Sequence, residues 1–251
     1  MKVTLKVGTF NLEDGGVDEG NPRRLDRQLD MLAGLGADVI AVQEAKNWHR
    51  DGEALCHRAS RALGMYGALV TSAHHGCHLA LFVGPRVKVT RNRHEQSSAY
   101  WHAVACLDAT VEGQAVRVAG IHQAPSSPEI RIAEAEAMKL LVPNYPLIAM
   151  GDFNAVPLDH QTASGDPRKL DTRAAKALEE AGLLDVGALR EDDTPTVGHR
   201  PGSGMAYRCD RIYITRPKGM TVECVDYQVV KEEKPTSDHR LVVATIEMEA
   251  A

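Results

Sequence analysis

The residues able to do chemistry fall into a few short polar clusters: Asn11, Glu44, His122, Asp152 with Asn154, Asp210, and Asp238 with His239. Carboxylates and amide carbonyls are hard oxygen donors suited to Mg2+ or Mn2+. Histidines beside carboxylates can move a proton or stabilise developing charge. The chain has no Gly-rich phosphate loop, no GxSxG nucleophile elbow and no HExxH. Hard-metal phosphoryl chemistry uses the remaining set most naturally: a metal on phosphate oxygens, a carboxylate orienting a water, and cations or imidazoles meeting the charge. Each cluster alone also has a plain structural reading. Gly-Asp-x-Asn and Ser-Asp-His make turns by local backbone hydrogen bonds. Asn11 suits a cap, Glu44 a surface position, and Asp210 an ion pair with Arg208 or Arg211.

The elements that must position these residues can be read from periodicity. Apolar alternation over residues 5–10 predicts a strand running into the turn at 13–16. Helical spacing predicts helices over 25–35, 53–63, 128–141 and 172–181, with Gly or Pro punctuation at their ends. Short apolar runs predict strands at 39–42, 147–150, 211–214, 220–230 and 241–247. Hairpins are predicted from 78–83 with 87–90 around Gly84-Pro85, and from 103–111 with 115–121 around Glu112-Gly113. Residues 192–204, rich in Thr, Pro, Gly and Asp, read as a surface loop. The polar clusters recur at strand ends, where rigid scaffolds place chemistry. Mixed strand and helix signals with central hairpins indicate an α+β or α/β sandwich rather than a purely parallel sheet.

Composition bounds the rest. The 251 residues suit one large domain or two small ones, and 43% hydrophobic with 25% charged residues excludes disorder over most of the chain. A net charge of −5 argues against polyanion binding by bulk charge, without excluding phosphate held at a metal. No signal-peptide or membrane-helix pattern is present. Cys56, Cys77, Cys106, Cys209 and Cys224 have no CxxC spacing, so buried free thiols in the cytoplasm are expected.

The ordered segments FNLED, VQEA, GIHQAPSS, GDFNAVP, CDRIYI and TSDHRLV resemble the endonuclease/exonuclease/phosphatase superfamily from Asn11 to His239. The resemblance implies a single catalytic domain over 1–251, built as a DNase I-like four-layer αββα sandwich of two packed mixed β-sheets, with the site at one sheet edge. It implies a Mg2+ or Mn2+ cofactor, with Asn11 and Glu44 on the metal and Glu44 its principal carboxylate. Glu13 would assist the metal directly or through water, and Asp238 would be a metal-side acid. Asp152 would orient or deprotonate the attacking water, and Asn154 would bind the scissile phosphate. His239 would contact a phosphate oxygen, with Asp210 as its paired acid. His122 would be a general acid or phosphate contact; its own carboxylate partner cannot be placed from the sequence.

Three functions follow: a metal-dependent phosphodiesterase on DNA or a related nucleic acid; the same chemistry on a small molecule, nucleotide or lipid headgroup; or a non-catalytic binding module on the same fold. No membrane association and no obligate protein partner are expected. The run His74-His75-Gly76-Cys77-His78 lacks the second ligand pair of a zinc site and reads as a polar loop. The basic run 91–94 and Tyr100-Trp101-His102 suit a solvated loop or a nucleic-acid grip. Trp48 suits packing or the substrate groove. Selectivity is expected in loops 91–101 and 192–204.

Overall fold

Alternation at the start of the chain builds strand β1, Lys2–Asn11, in the computed structural model, which describes residues 2–96, 99–160 and 165–250. Helix α1 (Arg23–Gly34) then places Leu25, Leu29 and Leu32 on one buried face. Strand β2 (Val39–Gln43) is wholly buried, and α2 (Ala54–Leu63) ends at Gly64 in a left-handed conformation. Strands β3 (Tyr66–Val70), β4 (Leu79–Val83), β5 (Val87–Asn92), β6 (Val104–Val111) and β7 (Gln114–His122) follow. Helix α3 (Pro128–Met138) is opened by Ser127, whose hydroxyl accepts the Ile130 N–H at 3.3 Å. It gives way to a 3-10 turn at Lys139–Leu141, so the helix expected over 128–141 is α-helical only in its first part. Strand β8 (Leu147–Asp152), α4 (Arg173–Glu180), the short β9 (Leu184–Asp185) and α5 (Val186–Leu189) lead to β10 (Asp210–Ile214), β11 (Met220–Val229) and β12 (Val242–Ala250).

The strands form two six-stranded sheets, ordered β11-β12-β1-β2-β4-β3 and β5-β6-β7-β8-β10-β9. Their inner faces meet through Val, Leu, Ile, Ala and Met side chains such as Leu5, Val39, Leu81, Leu107, Ile148 and Ile246. The outer face of the first sheet packs Phe10, Ile40 and Phe82 against Leu25, Leu29, Leu32, Cys56 and Ala59 of α1 and α2. The second sheet covers its outer face with Ala135 and Met138 of α3 and Ala174, Ala177 and Leu178 of α4. The result is the expected αββα sandwich of two mixed sheets. Each buried Leu, Ile or Phe contributes roughly 1.5–3 kcal/mol relative to exposure.

The pairings repeat across the sandwich. Within the first sheet β1 is parallel to β2 and antiparallel to β12, and within the second β8 is parallel to β7 and antiparallel to β10. Parallel pairs send their carboxyl ends to the same edge, where open α/β sheets bind ligands. Gly151 makes one of these pairs possible. A Cβ there would collide with the Ile121 carbonyl oxygen of β7, so only glycine permits the approach that sets Asp152 beside His122.

Several expectations change. The hairpin around Gly84-Pro85 does not form: β4 lies in the first sheet between β2 and β3, both of its edges are taken, and β5 joins β6 in the second sheet. Strand β3, YGALV, lacks the apolar alternation that predicts a strand. Trp48 is a packing residue, fully buried with its indole N–H donating to the Gly15 carbonyl at 3.0 Å. The five cysteines are free thiols, but Cys77 is only half-buried. Arg93 is paired with Asp108, and His94 accepts the Cys106 N–H at 3.1 Å, so most of the basic run is committed to the sheet. No described helix is long and apolar enough to cross a membrane.

Candidate active site

The strand ends assemble the polar clusters. Asn11 closes β1, Glu44 follows β2, His122 closes β7 and Asp152 closes β8. Antiparallel pairing sets Asp210, the first residue of β10, opposite Asp152. Residues 237–239 precede β12, whose start lies beside the end of β1; the Ser237 hydroxyl donates to the Asn11 carbonyl at 2.7 Å and accepts the His239 N–H at 3.1 Å. Glu44 and Asn154 hold left-handed backbone conformations, φ 53° for each, which cost energy outside glycine and often mark functional sites.

Asp152 is the hub. Its Oδ1 accepts the Asn154 N–H at 2.8 Å; its Oδ2 accepts the amide nitrogens of Asn11 at 3.2 Å and Asn154 at 3.3 Å. The same Oδ2 lies 3.6 Å from His122 Nε2 and 3.8 Å from His239 Nε2. Burial pushes the carboxyl up, but the surrounding positive charge, His239 foremost, outweighs it and holds the group at about 2. Asp152 is therefore an anion ringed by donors.

His239 donates from Nδ1 to Asp210 Oδ2 at 2.8 Å, which leaves Nε2 free on the other side of the ring, 3.8 Å from Asp152 Oδ2. Burial opposes charging this imidazole, yet the Asp210 and Asp152 carboxylates hold its pKa well above the ordinary histidine value. Asp210 is fully buried and is no surface ion partner: Arg208 bonds Asp185 at 2.7 Å, and Arg211 lies over the Phe153 ring at 4.9 Å. The Thr196 hydroxyl fixes the start of β10 by accepting the N–H groups of Cys209 at 3.1 Å and Asp210 at 3.0 Å. Residues 192–204, expected as a surface loop, thus bring a fully buried threonine into the site wall.

His122 is buried, and burial pushes its pKa below the ordinary value despite the Asp152 and Glu44 charges. Its Nδ1 has no hydrogen-bond partner among the described residues, so the nearest carboxylate, Asp152, meets its other nitrogen. The His102 ring stacks on it with centroids 4.1 Å apart. Burial pushes His102 down to about 2, so a neutral ring backs His122.

The metal-side candidates occupy the first sheet's side of the site. Glu44 accepts Asn11 Nδ2 at 3.3 Å on one oxygen and the Asp14 N–H at 3.0 Å on the other. Asp238 stands on the rim; partial desolvation raises its pKa, and the Glu13 and Glu44 charges add to this against His239 and Arg200. The carboxylates of Glu44 and Asp238 are donors of the type that suits a hard divalent cation, whereas Asn11 turns its amide nitrogen to Glu44 and its carbonyl oxygen accepts the Glu13 N–H at 3.1 Å. Glu13 is set apart, because Arg200 grips its carboxylate at 2.9 and 2.7 Å and Arg24 lies 3.7 Å away. Another group, Asp152, Cys209, Asp210 and His239, is close enough for a metal by distance alone. Its histidine and carboxylates already satisfy one another, and burial pushes the Cys209 thiol up, away from the thiolate a metal needs.

The sequence profile of the Endonuclease/Exonuclease/phosphatase family matches residues 8–239, from β1 to the Asp238-His239 pair. The chain belongs to this family. No curated protein sequence matches it. Among solved structures, a humanized TDP2 from D. rerio aligns at TM-score 0.75 and 18% identity, covering 97% of this chain and 98% of that one. The D. rerio TDP2 complexed with single strand DNA product aligns at TM-score 0.72 and 16% identity, covering 97% and 98%. The human Nocturnin catalytic domain with bound sulfate aligns at TM-score 0.69 and 16% identity, covering 100% and 97%. At these identities the likeness to each structure is one of fold.

Within this endonuclease/exonuclease/phosphatase chain, some residues that shape the site carry no sequence signal. Lys169 comes from an irregular segment, and its Nζ donates to Asn154 Oδ1 at 2.7 Å and to the Pro125 carbonyl at 2.9 Å. Asn154 Nδ2 in turn donates to the Gln123 carbonyl at 2.9 Å, so the amide can face only one way. Glu134 of α3 accepts the N–H groups of Trp101 at 2.8 Å and Ala124 at 2.9 Å, tying the segment after His122 to the helix. Lys169→Met should free the Asn154 amide to flip. The expected result is a fall in kcat of about tenfold with KM little changed, partly restored in Lys169→Arg. Steady-state kinetics of both variants checks it.

Proposed function

We propose that this chain is one catalytic unit, a divalent-metal-dependent phosphodiesterase acting on nucleic acid. The observation that carries the reading is the convergence on Asp152. An anionic carboxylate, two amide donors and two imidazoles meet at the joined ends of the two sheets. A phosphate group supplies the negative charge and acceptor oxygens that this donor ring suits.

In the proposed reaction Asp152 accepts a hydrogen bond from the attacking water and aligns it with phosphorus. A carboxylate held at about 2 is a weak base, so orientation is its main contribution. Asn154 and Asn11 fix the carboxylate plane. Cationic His239, held by Asp210, donates from Nε2 to a non-bridging oxygen as charge develops. Neutral His122 is assigned a hydrogen bond from Nε2 to the phosphate, since its lowered pKa suits a donor better than a standing acid. Mg2+ or Mn2+ held by Glu44, with Asn11 and Asp238 beside it, would supply Lewis-acid stabilisation of the phosphoryl oxygens. Glu13 is assigned to ordering Arg200 and loop 192–204, with contact to the metal through water at most.

The single strand DNA product in the D. rerio TDP2 structure supports a nucleic-acid substrate. The net charge of −5 favours the second reading, a phosphorylated small molecule. A panel of single-stranded DNA, duplex DNA, nucleotides and phospholipid headgroups with Mg2+ and Mn2+ tests both. We expect single-stranded DNA to be cleaved, with affinity falling as salt rises. Turnover confined to small phosphates with a flat salt response would overturn the nucleic-acid reading.

A further inference from the structure

A groove of about 710 Å3 is lined by His74, Tyr100, Trp101, Ile130 and small alanines at 73, 99 and 133. We propose that this groove is a nucleobase subsite, holding an unstacked base of the strand whose phosphate sits at Asp152. The proposal rests on the phosphodiesterase reading and adds what the strand's bases touch. His74 stacks on Trp101 with centroids 3.9 Å apart and planes 10° from parallel, so a flat aromatic stack already exists at the groove wall. A base can extend such a stack without any sequence preference, because every base has a π-face.

The occupant follows from chemistry and placement. The acid in the lining, Glu129, is tied to Arg173 at 3.1 Å, and no lysine or arginine lines the groove among the described residues, so a neutral planar ring suits it better than a phosphate. The alanines add no bulk beyond Cβ, which leaves room for a planar group. The groove also shares structure with the phosphate site: His102, next to Trp101, stacks on His122, and one Glu134 carboxylate holds the backbone of both Trp101 and Ala124. A base here must leave its duplex partner, so the subsite selects single strands.

The test uses Asp152→Asn protein in Mg2+ for binding and the otherwise wild-type chain for turnover. Two oligonucleotides serve as probes, an intact single strand and the same strand with its bases removed. Trp48 is buried, so quenching of tryptophan fluorescence by the intact strand reports Trp101. Trp101→Ala is expected to weaken intact-strand binding by about five- to a hundredfold, within the range of one lost base stack. The same variant should leave the base-free strand unaffected. Trp101→Phe should retain most of the affinity, and His74→Ala should reproduce part of the loss. If Trp101→Ala and His74→Ala bind both strands like the parent, the subsite is overturned while the phosphodiesterase reading stands. If neither strand is bound or cleaved, both are overturned.

Discussion

Asp152→Asn should lower kcat by about 100-fold or more, the scale of loss when a reacting group is no longer held in line. The substitution keeps the size of the side chain but removes the anion on which Asn11, Asn154, His122 and His239 converge. An amide nitrogen in place of one oxygen would also confront donors with a donor. KM should change far less, because the phosphate is gripped mainly by the groups around Asp152. The comparison needs circular dichroism alongside the kinetics, since a charge at the centre of the hydrogen-bond ring also supports the local fold. An active Asp152→Asn protein would remove the attacking-water assignment altogether.

Asp210→Asn is expected to be the second large loss, about 100-fold or more in kcat. Asp210 is fully buried, and in the proposed mechanism it acts through His239, accepting the Nδ1–H at 2.8 Å and favouring the imidazolium. An asparagine could present either its oxygen or its nitrogen to Nδ1, so both the tautomer and the charge lose their support. The sign of the pH effect follows. The paired acid raises the His239 pKa, so removing it lowers that pKa, and the alkaline fall in activity should begin at lower pH. A purely structural role for Asp210 would reduce activity at all pH values without moving that limb. His239→Ala should cost a similar factor and should gain little further loss when combined with Asp210→Asn, because the two act as a unit.

The legible part of the molecule is the part written in contiguous residues. Strand β8 runs directly into Gly151-Asp152-Phe153-Asn154, so element, glycine and candidate site residues occur in one segment. The same holds for β1 with Asn11 and β7 with His122. What could not be read depends on chain partners far apart in sequence. A turn at Gly84-Pro85 is a local signal, but which strand has a free edge is settled by β2 and β3, and these deny β5 its place beside β4. Lys169 reaches Asn154, and Thr196 reaches Asp210, from irregular loops with no periodicity. Glu13 is the opposite case: the family resemblance implies a role at the metal, directly or through water, while Arg200, 187 residues later, pairs with its carboxylate. The carboxylate nearest His122 is Asp152, which the strand register brings across from β8, and no spacing rule announces such a contact.

The most direct measurement is metal add-back to EDTA-treated protein cleaving a labelled single-stranded oligonucleotide, run beside Glu44→Gln. The account predicts no cleavage without added ion and recovery as Mg2+ or Mn2+ rises. Glu44→Gln should need about tenfold or more ion for half-maximal recovery, since a carboxylate ligand is lost from the site. Cleavage that persists in EDTA, or a Glu44→Gln protein with the parent's metal requirement, would contradict it.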